Sequence, residues 1–123
     1  HNIKWCNSNE LLLIKDLKIN IHRFASIPSP DKSDIDILLL HQPINPSKIE
    51  YAYDLVLAGH LHGCQFVFYR KDEYLYPGAF LYKNNFLKKQ LASNTIYLIS
   101  KGLGDTLPLR YNCLKDIIVI DFK

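Results

Sequence analysis

The chain has 123 residues, of which 48% are hydrophobic and 22% charged. This composition suits one domain or a large part of one and excludes intrinsic disorder. The net charge of +3 is mild and its lysines are scattered, apart from a cluster at residues 83–89 that reads as a solvated loop, so no nucleic-acid partner is expected.

No stretch of about 18 apolar residues is present, so no transmembrane helix is expected. No signal peptide is expected from the opening residues. Methionine is absent, which leads to the expectation of a processed chain, an excised domain or a fragment. Cys6, Cys64 and Cys113 are odd in number and widely spaced. They form neither a C-x-x-C pair nor a disulfide framework, and a reducing, cytoplasmic setting follows as the expectation.

Residues 1–10 are polar and rich in turn formers. Leu11 to Lys15 and Leu17 to Phe24 read as a hairpin or one bent strand. Leu17, Ile19 and Ile21 alternate with Lys18, Asn20 and His22, which predicts a strand buried on one face. His22 reads as a surface residue or a satisfied, partly buried one. Residues 25–33 form a loop punctuated by Pro28 and Pro30.

Ile35 to Leu40 and Leu55 to Ala58 are short apolar runs, the pattern of strands buried on both faces. Between them Asn45 can cap a short helix with Pro46 at its first position. Strand, short helix, strand predicts a parallel crossover. Phe66 to Tyr69 reads as a further strand. Residues 70–94 read as irregular, with turn signals at Pro77-Gly78 and Asn84-Asn85. Their aromatics cover an edge of the core or line a substrate approach. Thr95 to Ser100 reads as a strand, residues 101–105 as a glycine turn, and Ile117 to Phe122 as a closing strand. The fold class expected is α/β or α+β, mostly strand, in one unit spanning residues 1–123.

Each of the two apolar runs ends in histidine: His41 after the first, and Gly59-His60-Leu61-His62-Gly63-Cys64-Gln65 after the second. Ligands of parallel sheets gather outside the carboxyl ends of the strands. Neutral imidazole is a common ligand for zinc, iron and manganese. Glycines on either side allow a sharp turn. His41, His60 and His62 are therefore candidate metal ligands expected to converge. A catalytic two-metal centre also needs a bridging carboxylate. The chain contains no Asp-x-His, Gly-Asp-x-x-Asp or Gly-Asn-His.

The histidine-ended strands, together with Tyr97 to Gly104 and Leu107 to Cys113, resemble the carboxyl-terminal half of calcineurin-like metallophosphoesterases. The branch most similar has a Gly-His-x-His-Gly-Gly-Gln motif, with Cys64 here in place of the second glycine. The resemblance covers about residues 36–122. It implies part of a β-sandwich flanked by helices and two divalent metal ions, Mn, Fe or Zn. His41 and His60 would bind one ion and His62 the other. Arg110 is a candidate phosphate contact, with a structural ion pair as the equal alternative. The implied function is hydrolysis of a phosphomonoester or phosphodiester by a metal-activated hydroxide. The substrate would be a phosphorylated small molecule or a lipid-linked phosphate, the latter allowing peripheral membrane association.

The family's amino-terminal ligand motifs are not in this sequence, so the chain by itself is expected to be inactive. Two competing expectations stand beside this one. The first is a non-catalytic interaction module that keeps the fold. The second is a small structural zinc site built from His41, His60, His62 and Cys64.

Overall fold

The computed structural model describes residues 9–14, 16–23, 33–91 and 94–121. Among the described residues there are eight strands: β1 Glu10–Ile14, β2 Leu17–Arg23, β3 Ile35–Leu40, β4 Leu55–Ala58, β5 Val67–Lys71, β6 Tyr74–Pro77, β7 Lys88–Gln90 and β8 Ile96–Ile99. Six of them form one sheet in the order β1-β2-β3-β4-β8-β7, and β5 and β6 form a separate ribbon. The central four, β2, β3, β4 and β8, are parallel, and antiparallel β1 and β7 close the two edges.

The structure is mostly strand with little helix. Among the described residues helix is limited to the four-residue α1, Gly78–Leu81, and two 3₁₀ turns. The crossover from β3 to β4 is parallel, as its pattern predicts. Its expected helix shrinks to one 3₁₀ turn, Pro46–Lys48, where the Asn45 side chain accepts a hydrogen bond from the Ser47 amide. A cap with proline behind it starts a helix, but the backbone leaves helical geometry at Ile49 (φ −91°, ψ 94°) and the turn ends there.

Alternation along β3, β4 and β8 divides the core between two faces. Leu38, Val56, Ala58, Tyr97 and Ile99 point to one face and pack with Tyr53 and Phe86. Tyr97 is fully buried. Its hydroxyl accepts from the Ile44 amide at 3.0 Å and donates to the Ile44 carbonyl at 3.2 Å, pinning the crossover to the sheet. Burial pushes the Tyr97 pKa up to about 12 despite the backbone hydrogen bond. Ile19, Ile37 and Leu55 form the core of the other face, where Leu39, Leu57 and Leu98 are half-buried and Ile120 packs over them.

Three readings of the sequence are corrected here. Residues 70–94 are not irregular: they contain β6, α1 and β7. Tight turning at Asp72 (φ 48°) and Glu73 (φ 66°) closes the β5–β6 ribbon, the positive-φ geometry that matches the twist of paired strands. Ile117 to Asp121 is not a sheet strand, and Phe122 lies outside the described residues. The edge of β8 is already occupied by β7, so this apolar segment has no free ladder there.

The third correction concerns β2, whose polar face is buried as well. Asn20 and His22 are 5% and 1% exposed. His22 packs edge-on against Tyr53, with ring centroids 5.3 Å apart. Its Nε2 hydrogen-bonds Asp36 Oδ1 at 2.9 Å, while its buried Nδ1 has no hydrogen-bond partner among the described residues.

Burial by itself raises the Asp36 pKa, but hydrogen bonds from His22, Ser33 and Asn20 outweigh it and hold the carboxyl below its ordinary value of 3.8. A carboxyl with a lower pKa in the folded state contributes stability above the unfolded value. That contribution is lost as pH falls through the folded value. Asp36→Asn is therefore expected to lower the urea midpoint near pH 7, with the difference from wild type shrinking below about pH 3.8. A pH-independent difference would mean that Asp36 acts through shape alone.

Candidate functional site

β3 and β4 are parallel neighbours, with Leu40 opposite Ala58. Their carboxyl ends therefore deliver His41 and His60 to the same edge. The two rings lie 4.6 Å apart between centroids, tilted by 57°. Both side chains are exposed, so their nitrogens are open to a ligand.

The turn after β4 is unusual in its backbone. His60 (φ 71°), His62 (φ 49°), Gly63 (φ 62°), Cys64 (φ 59°) and Gln65 (φ 57°) all have positive φ. For residues with a Cβ this costs about 1–2 kcal/mol each. Such a conformation persists only where surrounding contacts over-determine it, and concentrated strain of this kind is characteristic of ligand sites.

Gln65 supplies much of that determination. It is 4% exposed and uses its whole amide. Nε2 donates to the carbonyls of Leu107 (2.6 Å) and Leu109 (3.1 Å), and Oε1 accepts from the amides of Thr106 (3.0 Å) and Leu107 (2.9 Å). Its main chain accepts from the Tyr111 amide at 2.8 Å. Gln65 thus ties the histidine turn to residues 106–111.

Glutamate is nearly isosteric there but places an acceptor against two carbonyls. Gln65→Glu is expected to destabilise by about 2–4 kcal/mol, the scale of leaving buried carbonyls facing an unsatisfied charged group. Thermal unfolding measures this; a loss well below 1 kcal/mol would show that the amide is dispensable.

The His62 ring lies beside the glycine turn at residues 101–104. Its Nδ1 lies 3.3 Å from the Lys101 carbonyl. A carbonyl only accepts, so this contact is made by a protonated Nδ1; in the neutral ring that leaves the lone pair on Nε2, the arrangement that orients metal-binding imidazoles. Cys113 is buried beneath the turn and its thiol donates to the His62 carbonyl at 3.4 Å. Cys64 Sγ accepts from Asn85 Nδ2 at 3.4 Å. Burial, with the nearby Cys113, raises the Cys64 pKa, keeping it a packed thiol. Both cysteines are free, and Cys6 lies outside the described residues.

Arg110 takes the structural alternative. Its Nε donates to Asp105 Oδ1 at 2.5 Å, Nη1 to the Cys113 carbonyl, and Nη2 to the carbonyls of Lys101, Gly102 and Gly104. Asp105 also meets Lys115 at 2.7 Å. Hydrogen bonds from Lys115 and then Arg110 hold its carboxyl below the ordinary value. A guanidinium so occupied frames the glycine turn under His62 and has no fork left for a phosphate.

The structure therefore gathers two of the three candidate histidines. Among the described residues no three His, Cys, Asp or Glu side chains converge as a metal ion requires. His41, His60, His62 and Cys64 accordingly do not form a four-ligand zinc site there. A paired imidazole donor set fits part of a divalent metal centre, and a full centre needs further donors.

Sequence reasoning missed Gln65, whose partners are 41 to 44 positions away, and the burial of His22 beside Asp36. The glutamine closing the histidine motif was the one available signal. In class, this is a mostly stranded α+β domain with paired histidines at the carboxyl edge of its parallel strands. No family model, curated protein or solved structure matches the chain. Among the described residues no helix is long and apolar enough to cross a membrane.

Proposed function

We propose that the chain carries the imidazole side of a metal-dependent phosphoester hydrolase with the sandwich architecture of the calcineurin-like metallophosphoesterases. The observation that carries this reading is the His41–His60 pair, 4.6 Å apart at the ends of adjacent parallel strands. In this reading His41 and His60 hold one divalent ion. His62, its proton fixed at Nδ1 by Lys101, offers Nε2 to a second. Bound Mn, Fe or Zn ions would supply Lewis-acid stabilisation and a hydroxide nucleophile. The rigid turn holds the imidazoles in place, and the free thiols Cys64 and Cys113 suit a reducing, cytoplasmic setting. The substrate is a phosphorylated small molecule or a lipid-linked phosphate.

The test uses the protein expressed from its complete gene. Its reading frame should hold Asp-x-His and Gly-Asp-x-x-Asp upstream of His1. Turnover of a chromogenic phosphodiester should require added Mn²⁺ and stop on chelation. Missing carboxylate motifs, or turnover indifferent to chelation, would sink the hydrolase.

A further inference from the structure

A cleft of about 430 Å³ opens beside His60, between the histidine turn, the end of α1 and residues 106–107. That volume falls in the range of about 300–1,000 Å³ usual for small-molecule sites. We infer that this cleft receives the alcohol side of the substrate and that the alcohol is apolar, so that the substrate class is a phosphate ester of an aliphatic alcohol. This inference rests on the hydrolase reading for the phosphate end and on the cleft alone for the alcohol end.

The chemistry of the lining is the argument. Leu61, Leu81, Tyr82 and Leu107 form its apolar walls. Of the side chains lining it, His60 alone can carry positive charge, and no carboxylate is present. Beside His60 the polar side-chain groups of the lining are the Gln65 amide, the Cys64 thiol and the hydroxyls of Tyr82 and Thr106, and the first two are committed. The Gln65 amide spends its donors and acceptors on the backbone of residues 106–109. The Cys64 thiol accepts a hydrogen bond from Asn85 Nδ2 at 3.4 Å. Arg110 is not among the lining residues and is held by Asp105 and four carbonyls.

A sugar or nucleoside entering this space would exchange its water hydrogen bonds for few replacements, which disfavours it. An alkyl chain loses nothing of that kind. It also covers Leu81 and Leu107, which stand 77% and 54% exposed, and removing such surface from water is favourable in proportion to area. The cleft therefore selects for an apolar body attached to a phosphate that reaches His60.

The test follows ¹³C-labelled leucine methyl signals of the chain during titration with octyl phosphate, methyl phosphate and adenosine monophosphate. Octyl phosphate is expected to shift Leu61, Leu81 and Leu107 and to bind at least about tenfold more tightly than methyl phosphate. Leu81→Ser, at a position exposed enough to leave the fold intact, should weaken octyl phosphate by about threefold or more and leave methyl phosphate unchanged. Co-sedimentation with phosphatidylcholine vesicles, with and without phosphatidic acid, separates the sources. Leu81-dependent binding only when phosphatidic acid is present identifies a membrane lipid, whereas binding only to dispersed octyl phosphate identifies a free ester.

Equal affinity for octyl and methyl phosphate, tighter binding of adenosine monophosphate, or a silent Leu81→Ser overturns the inference. Cobalt titration keeps the two readings apart. Octyl phosphate binding without cobalt binding removes the hydrolase and leaves an apolar ligand cleft; cobalt binding without chain-length preference removes the substrate class alone.

Discussion

Replacing His60 with alanine is expected to weaken the first equivalent of bound Co²⁺ by more than about a hundredfold, beyond the 10–100-fold typical of losing an outer-shell partner. The reason is geometric. His60 and His41 are the two imidazoles whose rings adjoin, at 4.6 Å, and with one gone the other is a lone donor. His41→Ala should match it. Both side chains are exposed, so neither truncation opens a core cavity, and the thermal midpoint should move little. His62→Ala should spare the first equivalent and remove the second, since its ring is turned toward Lys101. His22→Ala serves as the converse control: it should lower stability, because His22 is buried against Asp36 and Tyr53, and leave cobalt binding intact. The visible absorption of bound Co²⁺ reads all four variants. Unchanged affinity in both His41→Ala and His60→Ala would remove the metal centre.

The second large effect is expected at Gly63, where alanine should destabilise by about 2–5 kcal/mol. Two causes add. Gly63 sits at φ 62°, which costs a residue with a Cβ about 1–2 kcal/mol. The added Cβ would also lie 2.6 Å from Cys113 Sγ, 3.0 Å from Lys101 Cγ and 3.2 Å from Leu75 Cδ1. The lysine stem can swing aside, but Cys113 and Leu75 are 1% exposed and belong to one packed cluster with Val67. Forcing extra volume there costs about 1–3 kcal/mol. A double-mutant cycle separates the causes. In a Cys113→Ala background the nearest clash is gone, so Gly63→Ala should cost less than in wild type by about 1 kcal/mol or more. Strict additivity would show that backbone strain alone is responsible.

Much of the sheet was legible because its signals are local. The apolar runs at Ile35 to Leu40 and Leu55 to Ala58 became β3 and β4 as parallel neighbours, since short unbroken apolar segments need burial on both faces. Alternation from Leu17 to Ile21 located β2 but misjudged its polar side. Periodicity records which side chains avoid water, and a buried His22 satisfied on one nitrogen by Asp36 is invisible to it. Ile117 to Ile120 fails for the opposite reason. Its β-branched residues favour a strand, but a strand exists only where a partner edge is free, and β7 holds the edge of β8.

The sequence by itself determined that histidines end two neighbouring apolar strands and that glycines flank the second pair. Tertiary structure alone decided that His41 meets His60 while His62 faces Lys101. It also decided that Gln65 clamps residues 106–111, and that Arg110 is spent on Asp105 and the glycine turn. The physical reason is range. Strand formation and turn chemistry are written in adjacent residues, whereas a hydrogen bond such as Gln65 to Leu109 joins positions 44 apart. Only the folded chain determines which donor reaches which carbonyl.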